Sequence, residues 1–429
     1  MCGVLIGALG LLGFDRFVLT VSVGLEALFA VYFTRHLAFS ISAMNSARDD
    51  LVRPDDDSLG DEDLPRVTVL VACRNEESVL DTLVDGLVGI DYPASRHKIV
   101  IVDDGSTDRT GQLLDDYARV HDGLTCIHRP QGCGGGKSGA LNAARGEIDG
   151  GIVVVFDADH RPHTDVVRKL VRHFRDPTVG AVQGRCVIRN ADDSLLSRAI
   201  WVDYLGGYLV NEYGRQSLFQ LPAYGGANCA VRASSLEAVG GWNERSVTED
   251  TDLTMRIVLR GERVRYDVQA IDEEEGVVTL DRFWRQRYRW ARGHQQVWRD
   301  YRRAVWSTPL LPLPTKIELT LFMFVFHLPI VSGLGLVIFG MWITGLAHPW
   351  NDMHTYVFWT LLFLGPLLEL GGGLMIAQAP KRSARALIYF LPLFFVAIAL
   401  CTKAWLDALR DRPYIWIKTE RRVVPATLP

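Results

Sequence analysis

The sequence predicts an α/β domain held between two groups of membrane helices. Two β-branched runs, Val67 to Ala72 and Lys98 to Val102, each end in polar residues, and Val79 to Val88 between them has helical spacing. Long apolar runs lie at both ends of the chain. The composition agrees, since 48% of the 429 residues are hydrophobic and the mean hydropathy is +0.10.

The N-terminal part has the pattern of a membrane anchor. Residues 2–14 and 17–34 are apolar, and Asp15-Arg16 separate them. One broken helix or a hairpin of two would fit. The start lacks the basic residues of a cleaved signal peptide, so we expect an anchor over residues 1–45. An acidic linker over residues 46–64 follows.

The C-terminal membrane region is expected over residues 317–409. It holds three apolar runs, Ile317 to Leu346, Tyr356 to Ala379 and Ala386 to Leu406, each reaching the ~20 residues that a spanning helix needs. Lys and Arg follow the second run but not the first, which places the loop after the second run inside.

The third run has two interpretations. If it spans, the basic tail over residues 410–429 lies outside, against the positive-inside rule. If it lies in the membrane plane, the tail stays in the cytosol. We expect the second arrangement, with four crossings, and five crossings remain the alternative.

Charge excludes one class of partner and suggests another. The net charge of −4 argues against nucleic acid, whose partners are strongly basic. Eight arginines nevertheless fall between Arg282 and Arg303. They predict a helix over residues 281–310 that faces anionic phosphates or lipid headgroups, although a solvated charged face is the plainer alternative.

Polar residues follow two neighbouring predicted strands. Glu76 comes shortly after the first, and Asp103 and Asp104 end the second. Ligands of α/β sheets bind outside the carboxyl ends of the strands. No GxGxxG follows the first strand, which argues against a dinucleotide enzyme. A turn role for Asp-Gly-Ser-Thr is the alternative.

A glycine-rich loop precedes Lys137 and opens a predicted helix. Backbone amides and one lysine suit a diphosphate. The stretch is not a Walker A motif, because no strand directly precedes it.

Asp157 and Asp159 follow the buried-type strand Gly151 to Phe156. The period of two aims both carboxylates the same way. Two such groups plus phosphate oxygens satisfy Mg²⁺ or Mn²⁺, with Asp159 the more direct ligand. His160 either completes the sphere or is a structural imidazole.

Two further segments are singled out. Small residues around Gly226 and Asn228 let a backbone approach an acceptor, with a simple turn as the alternative. Thr248-Glu249-Asp250 opens a helix, where Thr248 or Asp250 could also serve as caps.

Together with Gln286, Arg289 and Trp290, these motifs resemble the membrane-embedded processive family 2 glycosyltransferases, the synthases of cellulose, chitin, hyaluronan and poly-N-acetylglucosamine. The resemblance is strong over residues 65–305. It implies a GT-A-type domain with a Rossmann-like mixed sheet over residues 65–280, on the cytosolic side. Transmembrane helices and amphipathic interface helices would accompany it.

The resemblance also implies roles for the singled-out residues. Asp250 would be the catalytic base, with Glu249 beside it. The remaining assignments are nucleotide contacts at Glu76, Asp103, Asp104, Lys137, Asp157 and Arg289; metal ligands Asp159 and Asp157; acceptor or product contacts at Gly226, Asn228, Gln286 and Trp290; and a gating loop with Trp416, Lys418, Thr419 and Arg421.

The function expected from the sequence is that of an inverting, metal-dependent, processive β-glycosyltransferase in the plasma membrane. Its donor would be a UDP-sugar, with UDP-N-acetylglucosamine favoured. Its partners would be the growing polysaccharide, the bilayer and accessory secretion or regulatory subunits. The alternatives are a cellulose, mannan, hyaluronan or glucan synthase, and a transferase that adds one sugar to a lipid carrier. A non-catalytic secretion scaffold is the least favoured.

Overall fold

The computed structural model describes residues 13–53, 59–223, 225–348, 352–410 and 412. An eight-stranded mixed sheet lies at the centre, in the order β3-β2-β1-β4-β7-β6-β8-β5. The strands are β1 Val67–Cys73, β2 His97–Asp103, β3 Leu124–His128, β4 Ile152–Asp157, β5 Arg161–Pro162, β6 Val179–Ile188, β7 Cys229–Arg232 and β8 Arg263–Glu274.

Helices cover both faces of this sheet and continue into the membrane region. They are α1 Phe14–Val52, α2 Leu80–Val88, α3 Thr110–Val120, α4 Gly136–Ala143, α5 Val166–Val171, α6 Leu195–Gly206, α7 Tyr213–Phe219, α8 Ala233–Ala238, α9 Glu249–Leu259, α10 Leu280–Ser307, α11 Leu313–Phe324, α12 Leu328–Ile343, α13 Asp352–Ile376 and α14 Phe390–Leu409. A π-helical segment, Gly207–Glu212, joins α6 to α7.

The register of the parallel strands brings the polar strand ends together. Strands β1, β2 and β4 are buried on both faces, as their β-branched composition predicts. Cys73 pairs with Asp103 on one side of β1, and Ala72 pairs with Asp157 on the other. The carboxyl ends of three strands therefore form one edge, and the site is built there.

Within the described residues, four helical stretches are long and apolar enough to cross a membrane. They are Phe14–Val52, Leu313–Ile343, Tyr356–Ile376 and Lys381–Leu409. From Phe14 onward the N-terminal anchor is one continuous helix, so the described part contains no hairpin. The helix continues to Val52, into the segment expected to be a linker.

The last apolar run begins with the 3₁₀ segment Lys381–Tyr389 and continues as α14. Tyr288, Arg292 and Gln295 of α10 bond in turn to Asp407, Ala404 and Cys401 of α14. The contacts advance along α10 while they recede along α14, so the two helices run antiparallel. The in-plane orientation of α14 stays a prediction. The expected gating residues Trp416, Lys418, Thr419 and Arg421 lie outside the described residues.

A buried charge cluster joins the membrane helices to the sheet domain. Glu318 of α11 accepts hydrogen bonds from Arg35 of α1, with the Nη2 to Oε1 distance at 2.8 Å. Arg215 of α7 places its Nε 3.1 Å from the same oxygen. The three side chains are only 7%, 0% and 1% exposed for Arg35, Arg215 and Glu318. One carboxylate thus holds three helices together.

We expect Glu318→Leu to destabilise the protein by about 3–5 kcal/mol, because it leaves two guanidinium groups buried without their shared carboxylate. Thermal and denaturant unfolding in detergent would measure the loss. The control is Asp149→Ala, which removes the exposed partner of Arg66 and should cost about 0–1 kcal/mol. Equal, small losses for both variants would contradict the role given to the cluster.

Candidate active site

One cavity of about 1330 Å³ opens at the carboxyl edge of the sheet and extends to the membrane helices. It brings together most of the residues that the sequence predicted. Those that line it are Glu76, Asp104, Lys137, Asp157, Asp159, Gly226, Glu249, Asp250, Gln286, Arg289 and Trp290.

Glu76 and Asp104 lie at the end of the cavity beside β1 and β2. The backbone N–H of Asp104 donates to the carbonyl of Cys73 at 2.8 Å. Its carboxylate accepts a hydrogen bond from Arg129 at 2.5 Å. Burial raises the pKa of Asp104, although Arg129 opposes the shift. Arg129, which the sequence did not single out, therefore orients a predicted nucleotide contact.

Asp103 does not line this cavity, contrary to the expectation of a nucleotide contact. Its carboxylate accepts the N–H of Ser106 at 2.9 Å and lies 3.1 Å from Nδ1 of His128. The side chain therefore holds the Asp-Gly-Ser turn, which is the turn role that the sequence left open.

The Lys137 side chain sits at the centre of the site. Its ammonium donates to the carbonyl of Gly226 at 2.7 Å, forms an ion pair with Asp157 and lies 3.7 Å from Glu249. Burial alone would lower the pKa of Lys137, but Asp157 and Glu249 outweigh it and raise the pKa. The lysine is thus a fixed cation that joins three segments, and its contact with a diphosphate stays a prediction.

Asp157, Asp159 and His160 could offer ligand atoms that all lie within 4.8 Å of one another. His160, however, has both ring nitrogens engaged, Nδ1 with Asp272 and Nε2 with Glu274 at 3.1 Å. Burial would lower the pKa of His160, but these carboxylates hold it well above its usual value. Because Asp272 and Glu274 hold both ring nitrogens, the structure favours the structural role for His160.

The two aspartates fit a hard divalent cation. Both line the cavity beyond β4, and oxygen is the ligand type that Mg²⁺ and Mn²⁺ prefer. Asp159 is almost fully buried, and its carbonyl accepts a hydrogen bond from Arg189 at 3.1 Å. The protein therefore offers two carboxylates at this position.

Asp250 lies in the first turn of α9. Its Oδ1 accepts the backbone N–H of Thr251 at 2.5 Å and the Thr251 hydroxyl at 3.1 Å. Burial, followed by the neighbouring charge of Glu249, raises the pKa of Asp250 from 3.8 to about 6, against the opposing effects of Lys137 and Arg289. A carboxylate with this pKa is suited to accept a proton near neutral pH.

Gly226 lies directly against that carboxylate. Its φ is +78°, and a Cβ built on it would come within 3.0 Å of Oδ2 of Asp250. Any side chain here would be strained and would crowd the Asp250 carboxylate. The glycine therefore leaves the space beside Oδ2 of Asp250 free, and its contact with an acceptor stays a prediction.

Asn228 does not face the cavity, contrary to the expectation of an acceptor contact. It is fully buried, and its Nδ2 donates to the carbonyls of Ala270 at 2.9 Å and Arg185 at 3.1 Å. Gln183, which sequence reasoning missed, completes the support by accepting the N–H of Gly225 at 2.5 Å and donating to the carbonyl of Ala227 at 3.1 Å. Both side chains hold the loop that carries Gly226.

The helix α10 presents Gln286, Arg289 and Trp290 to the cavity. Arg287 stacks over the Trp290 ring at 4.2 Å and pairs with Asp203 at 2.6 Å, which fixes the indole. In the described part of the chain no carboxylate forms an ion pair with Arg289. Its charge is therefore available to an anion in the cavity.

Gly293, one turn beyond Arg289, joins α10 to the Thr248-Glu249-Asp250 segment. A Cβ built on it would lie 2.7 Å from the Cβ of Thr248, which is closer than two carbons approach. Sequence reasoning missed this contact. The available signal was a glycine inside a long helix, which costs about 1 kcal/mol against alanine unless packing requires it.

Comparison with known proteins finds relatives among enzymes that are named as sugar transferases or synthases. The chain is 39% identical over 249 residues to the beta-monoglucosyldiacylglycerol synthase of Synechocystis sp., covering 57% of this chain and 51% of the relative. It is 27% identical over 272 residues to the poly-beta-1,6-N-acetyl-D-glucosamine synthase of Staphylococcus aureus, covering 63% of this chain and 62% of the relative. The chain spans about half the length of the first curated relatives it matches.

The fold matches a solved structure, the mannosyltransferase PcManGT from Pyrobaculum calidifontis in complex with GDP-Man and Mn²⁺. The TM-score is 0.55 at 23% identity, over 91% of this chain and all of that one. This likeness confirms the predicted GT-A-type fold. A family model described as "Glycosyl transferase family group 2" matches residues 152–401, from the strand before the paired aspartates into the last apolar helix. The chain therefore belongs to glycosyl transferase family group 2.

Proposed function

We propose that this protein transfers one sugar from a nucleoside diphosphate sugar, with UDP as the favoured nucleotide, to a hydroxyl group of a membrane lipid. The observation that carries the proposal is the single cavity that joins Asp159 and Asp250 to side chains of candidate membrane helices, among them Arg35, Phe322 and Glu369. The 39% identical relative, named as a glucosyl lipid synthase, supports the same acceptor class.

The donor would bind along the carboxyl edge of β1, β2 and β4. Glu76 and Asp104 would contact the nucleoside, and Arg289 would pair with the diphosphate. Asp157 and Asp159 would hold a divalent cation, which when bound supplies positive charge to the diphosphate leaving group. Lys137 need not supply that positive charge, because Asp157 and Glu249 already neutralise the lysine.

The acceptor hydroxyl would be activated by Asp250. Its carboxylate takes the proton as the acceptor oxygen attacks the anomeric carbon from the face opposite the nucleotide, which inverts the configuration to β. Gly226 leaves the space beside Oδ2 free for that hydroxyl. Trp290, fixed by Arg287, offers a flat face for the sugar ring.

Polymer synthesis is the second candidate. Gln286, Arg289 and Trp290 all line the cavity, as the resemblance to the processive synthases implies, and one relative at 27% identity is named as a polysaccharide synthase. The expected processive use of UDP-N-acetylglucosamine takes second place because the lipid synthase is the more similar of these two relatives. For either function we propose a plasma-membrane protein with the catalytic domain on the cytosolic side.

The two candidates differ in the product. Membranes that contain the protein, incubated with diacylglycerol and a panel of labelled UDP-sugars, should give label that partitions into the organic phase and migrates as a lipid carrying one sugar. The control is a membrane preparation with the Asp250→Asn variant. Label in an ethanol-insoluble polymer, with none in lipid, would refute the lipid acceptor and favour the second candidate.

Asp159→Asn should abolish metal-dependent donor binding and turnover, because a neutral amide replaces an anionic ligand of a hard cation. Calorimetric titration with UDP, with and without Mn²⁺, would measure the loss. Asp122→Asn, a change at an exposed aspartate, serves as the control and should bind as the wild type does. Wild-type turnover with an unchanged metal requirement would remove Asp159 from the metal site.

Asp250→Asn should lower the transfer rate by roughly 10²–10⁴, the usual worth of a positioned base, and leave UDP affinity largely intact. Single-turnover kinetics and UDP titration separate the two effects. A parallel loss of UDP affinity would instead make Asp250 a nucleotide contact.

The pKa of Asp250 also predicts how kcat/KM depends on pH. Asp250 accepts a proton only when it is ionised, and its pKa is about 6, so kcat/KM for the acceptor should be constant above this pH and fall about tenfold per unit below it. If the residual activity of the Asp250→Asn variant does not decline below this pH, Asp250 is confirmed as the group that causes the decline. A wild-type profile that stays flat down to pH 4.5 would contradict it.

A further inference from the structure

The hydroxyl of Thr248, a residue that lines the catalytic cavity, is buried and makes no hydrogen bond to the described residues that would stabilise the fold. Thr248 is the N-cap residue of α9 and is only 3% exposed, yet its side chain makes no capping hydrogen bond. Its Oγ1 has no hydrogen-bond partner among the described residues. Buried polar groups are nearly always satisfied, so an orphan two residues from Asp250 indicates a ligand group at this place.

A second unpartnered polar atom belongs to another residue that lines the cavity. Gly293 packs on Thr248, and the next residue along α10, His294, also lines the cavity. The Nδ1 of His294 is buried and also lacks a hydrogen-bond partner within the described chain. Burial lowers the pKa of His294 to about 3, so the ring is neutral and can donate or accept one hydrogen bond to an uncharged group.

Aromatic rings form the continuation of the cavity beyond these two groups. The centroid of the His294 ring lies 4.6 Å from that of Phe326 and 5.6 Å from that of Phe322. Both phenylalanines line the cavity and belong to the candidate membrane span Leu313–Ile343. A 3₁₀ segment, Val325–His327, interrupts that span and carries Phe326. The cavity therefore has a charged part at Asp250 and an aromatic part at Phe322 and Phe326.

We propose that Thr248, His294, Phe322 and Phe326 form the acceptor site for a membrane lipid with an uncharged, hydroxyl-bearing head. Thr248 and His294 hydrogen-bond the head so that its reacting hydroxyl reaches Asp250, and the two phenylalanines contact the start of the hydrocarbon chain. This inference rests on the proposed lipid acceptor.

Kinetics with diacylglycerol in mixed micelles tests the polar end. Thr248→Val keeps the shape but removes the hydroxyl, and it should raise the KM for diacylglycerol about tenfold, the worth of one hydrogen bond. The KM for the UDP-sugar should not change. Thr248→Ser should restore the wild-type value, and Thr320→Val, at a threonine bonded within α11 outside the cavity, is the matched control. An unchanged KM, or an equal rise for donor and acceptor, would overturn the assignment.

Photolabelling of the wild-type protein tests the apolar end without any variant. A diacylglycerol with a diazirine near the head of one acyl chain should label the peptides that contain His294 and residues 322–326, and unlabelled diacylglycerol should compete. Glycolipid synthesis with labelling only elsewhere would overturn the acceptor site and leave the proposed function intact. Labelling of these peptides without glycolipid synthesis would support the site and refute the proposed function.

Discussion

The geometry of the site depends on the contacts that the ammonium group of Lys137 makes. It contacts Asp157 at the end of β4, the carbonyl of Gly226 in the loop before β7, and Glu249 at the start of α9. A buried cation must be paired, so the three segments cannot separate without exposing an uncompensated charge. The carboxylate of Asp157, assigned to the metal, and the first turn of α9, which carries Asp250, are thereby held to the same ammonium group.

The charge cluster of Arg35, Arg215 and Glu318 holds parts of the whole molecule together, as Lys137 holds together the segments of the site. It ties α1 and α11, both in candidate membrane spans, to α7 beside the sheet. Because a buried charge pair requires defined geometry, the membrane helices take a fixed position against the catalytic domain. The cavity can therefore have one wall from each part.

Local pattern was enough to predict the strand ends, Asp157 and Asp159 after a buried strand, and the helix that carries Arg289 and Trp290. Contacts between residues far apart in the sequence could not be predicted from such patterns. His160 was ambiguous because its partners Asp272 and Glu274 lie on β8, more than a hundred residues away in sequence. Asn228 and Gln183 hold a loop through backbone carbonyls from other strands, and Gly293 meets Thr248 across two helices. Such contacts have no period and no spacing, so only the folded chain reveals them.

The unbroken helix α10 touches the Thr248-Glu249-Asp250 segment through Gly293. Two residues later, Gln295 donates to the carbonyls of Phe326 and Cys401 in the candidate membrane helices. A helix of this length is about 40 Å of stiff rod. Membrane helices tilt or shift when the hydrocarbon thickness of the bilayer changes. A tilt of these helices would therefore reach Thr248 and Asp250 through α10, so the geometry of the site would depend on the thickness of the bilayer.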